Sequence, residues 1–189
     1  MMGFTQAAYD AGYKAGKSKK KGLIIAIVAA VIIIPVIIIM IVSSQPKEFS
    51  CQELRIKLSS GYKEPDSSLR LKISTSSVLS DKPEYILVDS GDTAYFYRDE
   101  KGSYSNLEQY AQDTKNGFKG AESASLYKKG DYYYFVSDGK MIGSDSSAKS
   151  VVAMFESKNA FWTIDIGGKA DTFSEKKILG FMDTVTFKE

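Results

Sequence analysis

Serine and lysine at a fixed spacing are the first residues in this chain whose types could do chemistry. The pattern Ser-x-x-Lys, the nucleophile motif of penicillin-binding enzymes, occurs seven times, among them at residues 60–63, 146–149 and 174–177. The partner motifs Ser-Asp-Asn and Lys-Thr-Gly are absent from the sequence. Repeated occurrences in a chain rich in both residues are what chance produces, so we predict no serine nucleophile here.

Other catalytic and metal-binding groups are scarce as well. The chain contains no histidine, which removes Ser-His and Cys-His catalysis and histidine-based metal sites. The carboxylates Asp89, Asp92, Asp138 and Asp145 fall in turn-like segments, where aspartate commonly bonds the local backbone. No calcium-loop pattern is present. The sequence therefore predicts a protein that is not an enzyme and uses no cofactor and no metal.

Aromatic residues offer a possible binding face. On a strand, Tyr132 and Tyr134 point to one side and the two aromatics that alternate with them to the other. One pair is expected in the core, and the other could join Tyr95, Tyr97 or Trp162 on an exposed face for a sugar or a protein. The alternative is that all of them pack internally, because aromatics are favoured in strands for packing alone.

Residues 23–42 form an unbroken apolar run of twenty residues, LIIAIVAAVIIIPVIIIMIV. A helix of this length spans about 30 Å, the thickness of a bilayer's hydrocarbon core. The run contains no polar side chain, which is typical of an anchor in the lipid bilayer and not of a pore. The alternative is a signal peptide that is cleaved after Ser44.

Charge sets the expected orientation of this span. Lys17, Lys19, Lys20 and Lys21 precede it, and residues 1–22 carry five lysines against one aspartate, a net charge of +4. The positive-inside rule places this tail in the cytoplasm and the rest of the chain outside. We therefore expect a single-pass protein of the cell membrane.

The residues after the span carry the other 20 basic and 22 acidic side chains, a net charge of −2. This balance excludes a nucleic-acid partner, which needs a basic face. Cys51 is the only cysteine, so stability must come from a hydrophobic core and not from a disulfide. Together with the lysine-, serine- and tyrosine-rich composition, this indicates a domain of a bacterial envelope protein.

Hydrophobic patterning divides the chain into a tail (1–22), a transmembrane helix (23–42), a linker (43–50) and an extracytoplasmic domain (51–189). Apolar residues alternate with polar ones at Leu54, Ile56 and Leu58, as in a half-buried strand. By the same reasoning, strands are predicted at residues 54–58, 69–73, 85–88, 93–97, 124–127, 132–137, 150–157, 161–166 and 184–187.

Two helices are expected between these strands. A capping box at Ser105–Glu108 opens the first helix, and Gly117 ends it. A second capping box at Thr172–Glu175 precedes a helix with Ile178 and Met182 on its apolar face. This order predicts an α+β fold, an αβα sandwich with a mainly antiparallel sheet and two main helices.

The segments LRIKLSSGYKE, YILVDSGDTAYFYRDEKGSYSNLEQYAQ, GDYYYFVS, NAFWTIDI and KKILGFMDTVTF resemble the PsbP-like fold group. More narrowly, they are similar to membrane-anchored members of Gram-positive bacteria. The resemblance covers roughly residues 50 to 188 and implies a noncatalytic αβα sandwich used for binding or assembly. The ion- and photosystem-binding residues of the photosynthetic members have no counterpart here, so none is assigned.

These observations lead to one functional expectation and one alternative. We expect a membrane-tethered extracytoplasmic domain that binds another envelope protein as an accessory or assembly factor. The alternative is a binding module for cell-wall glycan or a small ligand that uses exposed aromatic residues.

Overall fold

The computed structural model describes residues 45–74, 82–102, 104–141 and 144–188. The predicted transmembrane helix at 23–42 and the basic tail before it lie outside these residues. The chain divides into two compact units, Met1–Gln45 and Pro46–Glu189, and every strand and helix below belongs to the second. Within the described ranges, no helix is both long enough and apolar enough to cross a membrane.

A small antiparallel sheet joins the two ends of this unit. Strands β1 (Lys47–Cys51) and β2 (Leu54–Leu58) form a hairpin, and the short strand β9 (Thr186–Phe187) pairs with β2 on its other side. The alternation predicted for β2 is confirmed, since Leu54, Ile56 and Leu58 are all buried. Strand β1 lies across the boundary between the expected linker and the expected domain.

The main sheet has six strands in the order β3-β4-β8-β7-β6-β5, and every neighbouring pair is antiparallel. The expected hairpin between β3 and β4 is confirmed, with positive φ at Ser90 (47°) and Gly91 (102°) in its two-residue turn. The strands of this sheet are β3 (Tyr85–Asp89), β4 (Asp92–Glu100), β5 (Tyr127–Lys129), β6 (Tyr132–Lys140), β7 (Ser147–Glu156) and β8 (Ala160–Lys169).

The prediction of a strand at 69–73 was wrong, because these residues lie in helix α1 (Ser67–Ser74). The Asp66 carboxylate accepts the backbone N–H of Leu69 at 2.8 Å, and the Asp66 carbonyl accepts that of Arg70 at 2.8 Å. These bonds satisfy amides of the first helical turn. Of the alternating apolar residues, Ile73 is buried but Leu71 is 64% exposed, so the alternation does not mark a buried face.

Both expected helices are confirmed, as α2 (Leu107–Gly117) and α3 (Glu175–Met182), but each begins at a different cap from the one predicted. In α2 the cap is Asn106, whose side chain accepts the N–H of Gln109 at 2.9 Å. In α3 the cap is Ser174, which accepts the N–H of Lys177 at 3.3 Å. Serine and asparagine are strong N-caps wherever they occur, so neighbouring candidates are hard to rank from sequence.

Two hydrophobic clusters cover the two faces of the main sheet. On one face, Phe96, Trp162 and Ile164 pack with β2 of the small sheet and with Ile178 and Met182 of α3. The other cluster is smaller and lies under α2; its buried members are Tyr110, Ala111, Ala121, Phe135, Val152, Met154 and Phe161. The chain is therefore an α+β protein with mainly antiparallel sheets and few helices, as predicted.

Candidate functional site

Three tyrosines at the β5–β6 edge of the main sheet form a continuous aromatic surface, here named the tyrosine ledge (Tyr127, Tyr132 and Tyr134). Tyr127 and Tyr134 are opposite each other in the ladder, and their rings stack with centroids 5.3 Å apart. The ring centroid of Tyr132 is 6.3 Å from that of Tyr134. The Tyr132 ring also stacks on Phe155 in the core, with centroids 4.8 Å apart. Exposure rises along the ledge from 5% at Tyr132 to 50% at Tyr127.

Charged residues border the ledge where α3 ends. Asp183 accepts hydrogen bonds from Tyr132 Oη at 2.9 Å and from Lys129 Nζ at 2.6 Å. The hydrogen bond from Lys129 is the main reason that the pKa of Asp183 is lowered. At the other end of α3, the carboxylate of Glu175 is close enough to Tyr134 to act on it electrostatically. The ledge thus combines an open aromatic ring with one cation and two carboxylates.

The phenols of Tyr132 and Tyr134 stay neutral at physiological pH. Burial, followed by the hydrogen bond to Asp183, raises the pKa of Tyr132. Burial, followed by the charge of Glu175, raises the pKa of Tyr134. The hydroxyl of Tyr132 therefore holds its proton and donates a hydrogen bond to Asp183, which fixes the ring. A rigid aromatic surface with nearby polar groups suits a protein side chain or a sugar ring.

The five aromatic residues selected from the sequence do not share one face. Alternation along β4 places Tyr95 and Tyr97 on the opposite side of the sheet from Tyr132 and Tyr134. Tyr95 is 8% exposed. Trp162 lies on the side of the ledge but is fully buried, so it belongs to the core. Whether any of them binds a partner stays a prediction.

Tyr127 is the exposed member of the ledge, and the sequence reasoning did not select it. A signal for it was present, because a two-residue turn at Gly130 and Asp131 pairs Lys129 with Tyr132 and hence Tyr127 with Tyr134. Asp183 had no such signal, since it is 54 residues from Lys129 in the chain. Only the packing of α3 against the sheet brings them together.

A buried carboxylate lies on the opposite face of the sheet. Asp165 is 8% exposed, and its Oδ1 has no hydrogen-bond partner. Ser150 donates to this carboxylate and shares a 2.9 Å hydrogen bond with Ser137. Burial raises the pKa of Asp165 to about 6, and Tyr95 on the neighbouring strand is buried beside it. Among the described residues, no cation pairs with this carboxylate, so its ionised form is costly.

Two of the Ser-x-x-Lys motifs have their lysines engaged elsewhere. Lys149 Nζ is 3.2 Å from Asp138, and Lys177 Nζ is 3.6 Å from Asp92. Ser174 caps α3. In the part of the chain that the structure describes, no group of three cysteine, aspartate or glutamate side chains could hold a metal ion.

Two solved structures are similar in fold to this chain. A crystal structure from Bacteroides thetaiotaomicron VPI-5482 matches with a TM-score of 0.53 and 13% identity, over 77% of this chain and 49% of that one. This chain thus spans about half the length of the Bacteroides structure. The solution structure of cyanobacterial PsbP (CyanoP) from Synechocystis sp. PCC 6803 matches with a TM-score of 0.51 and 10% identity, over 77% and 94%.

The fold is PsbP-like. At 10% and 13% identity, the likeness establishes the fold alone. No family model matches the chain, and no curated protein matches it.

Proposed function

We propose that this chain is a noncatalytic, single-pass membrane protein whose extracytoplasmic domain binds another envelope protein as an accessory or assembly factor. Residues 23–42 anchor it in the cell membrane, and the lysine-rich tail keeps the N-terminus in the cytoplasm. In this proposal the chain is similar to membrane-anchored PsbP-like proteins of Gram-positive bacteria.

The tyrosine ledge is the observation that supports this function. Tyr127 is half exposed, and its ring stacks on that of Tyr134. An aromatic side chain that is already fixed loses little conformational entropy on binding. Tyrosine is also enriched among the residues that dominate protein interfaces. The Lys129–Asp183 ion pair beside it supplies polar contacts for the rim.

A second candidate ligand is cell-wall glycan, and the chemistry around Tyr127 favours it specifically. A sugar ring can stack on an exposed aromatic face while its hydroxyls bond to carboxylates nearby. Glu175 and Asp183 stand on either side of the ledge at the two ends of α3. The two candidates share one surface and differ in what they capture.

The test replaces Tyr127 with a photo-crosslinking amino acid in the full-length chain and irradiates living cells. Leu71 on α1 is the matched control, because it is the other large apolar side chain that is exposed among the described residues. We expect one dominant protein adduct at position 127 that is absent at position 71. Adducts that a wall hydrolase digests would instead favour the glycan.

Substitution provides the second measurement. Tyr127→Ala is expected to lower co-purification of the captured partner at least about tenfold, the loss typical of an interface hot spot. Leu71→Ala should have no such effect. Unchanged fluorescence of Trp162, the single tryptophan, would show that the domain is intact. Equal capture at both positions, or no capture at either, would contradict the proposal.

A further inference from the structure

A groove on the other side of α3 from the tyrosine ledge carries a different chemistry. It is an open groove of about 490 Å³ between α3 and the small sheet, here named the lysine groove. Its lining includes Pro46, Lys57, Lys176, Lys177, Phe181 and Thr184.

The lysine groove is positively charged. Three lysines line it, and none of its lining residues is acidic. Of the ion pairs within the described ranges, none involves Lys57 or Lys176. Glu48 is opposite Lys57 in the ladder but pairs with Arg55 at 3.7 Å. Lys177 pairs with Asp92 at 3.6 Å, so the charges of Lys57 and Lys176 are the ones that the groove keeps for an anion.

An apolar ring completes the groove. Phe181 is half-buried and is held edge-on by Tyr62, with ring centroids 6.3 Å apart. Lys177 Nζ lies 5.8 Å from the centre of the Phe181 ring. Lysine beside an apolar ring is typical of surfaces that contact the boundary between headgroups and acyl chains.

The chain brings this groove to the bilayer if the tether in the proposed function is correct. The predicted span ends at Val42, and Pro46 lines the groove only four residues later. Four extended residues reach no further than about 14 Å. The groove then lies within reach of the lipid headgroups that surround its own anchor, and their negative charge complements the three lysines.

We infer that the lysine groove binds the phosphate headgroup of an anionic phospholipid in the membrane that anchors the chain. This inference rests on the proposed tether and adds a second, membrane-facing contact to it. The bound headgroup would fix the orientation of the domain and leave the tyrosine ledge, on the other side of α3, open to a partner. Each lysine near an anionic surface contributes a factor of roughly five to binding.

The test places the full-length chain in nanodiscs that contain photoactivatable phosphatidylglycerol or, in parallel, photoactivatable phosphatidylcholine. Lipid adducts are mapped to peptides after irradiation. Adducts at 23–42 report the tether, and adducts at 174–184 report the groove. We expect groove adducts with phosphatidylglycerol at least tenfold above those with phosphatidylcholine, and equal adducts at 23–42 with both lipids.

A charge-matched pair of variants separates the groove from general attraction. Lys57, Lys176 and Lys177 are changed to Gln in one variant, which should lose groove adducts at least tenfold. In the control variant, the exposed residues 82, 119 and 158, all lysines, are changed to Gln, and this change should leave the adducts unaltered. Equal loss in both variants, persistence in the first, or equal labelling by both lipids would overturn the inference.

The same experiment distinguishes the failure of this inference from that of the proposed function. Absent adducts at 23–42 would remove the tether, and the groove contact with it. Adducts at 23–42 without adducts at 174–184 would remove the groove contact alone. Capture of a partner at Tyr127 is measured independently of both results.

Discussion

The indole Nε1 of Trp162 donates a hydrogen bond to Oε1 of Glu53 at 3.1 Å and thereby joins the two sheets. Glu53 lies in the turn between β1 and β2, whereas Trp162 is the third residue of β8. The same carboxylate oxygen accepts two more hydrogen bonds, from Ser157 Oγ at 3.2 Å and from Arg98 Nε at 3.4 Å. Burial opposes ionisation of Glu53, but its hydrogen bonds and Arg98 outweigh it and lower the pKa.

Glu53→Gln is expected to destabilise the domain by about 1 to 3 kcal/mol at pH 7, because the network loses the negative charge of its acceptor. A lowered pKa in the folded state gives stability that is present above the unfolded pKa and lost as the pH falls. The difference between wild type and variant should therefore shrink below about pH 4.5. Urea unfolding of the intact chain, followed by Trp162 fluorescence, measures it.

Glu48→Gln is the control for this prediction. Glu48 pairs with Arg55 at 3.7 Å, and its side chain is 51% exposed. An exposed pair of this kind contributes at most about 1 kcal/mol. Equal losses in the two glutamate variants would show that the bonds of Glu53 to Trp162 and Arg98 add nothing to stability.

Asp165→Asn should produce the opposite dependence on pH. Burial raises the pKa of Asp165 to about 6. The domain is therefore most stable at acid pH, where Asp165 is protonated, and this stability is lost as the pH rises through 6. A shift of about two pKa units lowers the free energy of unfolding at pH 8 by roughly 3 kcal/mol relative to acid pH. The wild type should lose stability as the pH rises from about 4 to about 6, between the unfolded and folded pKa values, and the variant should lose much less.

Asp138→Asn serves as the comparison, since Asp138 is an exposed aspartate that pairs with Lys149. It should keep the wild-type slope of stability against pH. Urea midpoints measured at about pH 4, 5, 6 and 7 decide the matter. A slope that is the same in the Asp165 variant and the wild type would mean that another group titrates in this range.

Gly167→Ala is expected to cost about 1 to 3 kcal/mol through overpacking. Gly167 of β8 is opposite Ser150 of β7, and an added Cβ would clash with the Ser150 side chain and lie 2.6 Å from the carbonyl oxygen of Lys149. Gly139→Ala in β6 is the matched control, because nothing lies within 4 Å of its added Cβ. Thermal unfolding of both variants should show a lowered midpoint for Gly167→Ala alone.

Strand β1 was not predicted, and β5 was predicted at 124–127 but lies at Tyr127–Lys129; neither strand contains a fully buried residue. Strands with a buried face were predicted correctly from their hydrophobic pattern. The alternation in β2 is an example, with three buried apolar residues between half-exposed or exposed ones. The same rule failed at α1, where five alternating residues fit a helix as well as a strand and the Asp66 cap decided between them. Local pattern cannot separate these cases over so short a run.

The candidate site was predictable only where it depends on one strand. Alternation gave Tyr132 and Tyr134 a common face, and the turn register could have added Tyr127. Their charged neighbours depend on where α3 docks, which no local pattern encodes. Asp165 is similar, because its burial follows from its place between β4 and β7, and that strand order is not written in its own segment.

Strand β9 closes the small sheet against β2, and Lys57 and Thr184, which share a hydrogen bond, are 127 residues apart in the chain. During synthesis the β1–β2 hairpin therefore leaves the ribosome well before its third strand is made. The edge of β2 stays unpaired during that interval, in which chaperones and proteases can reach it.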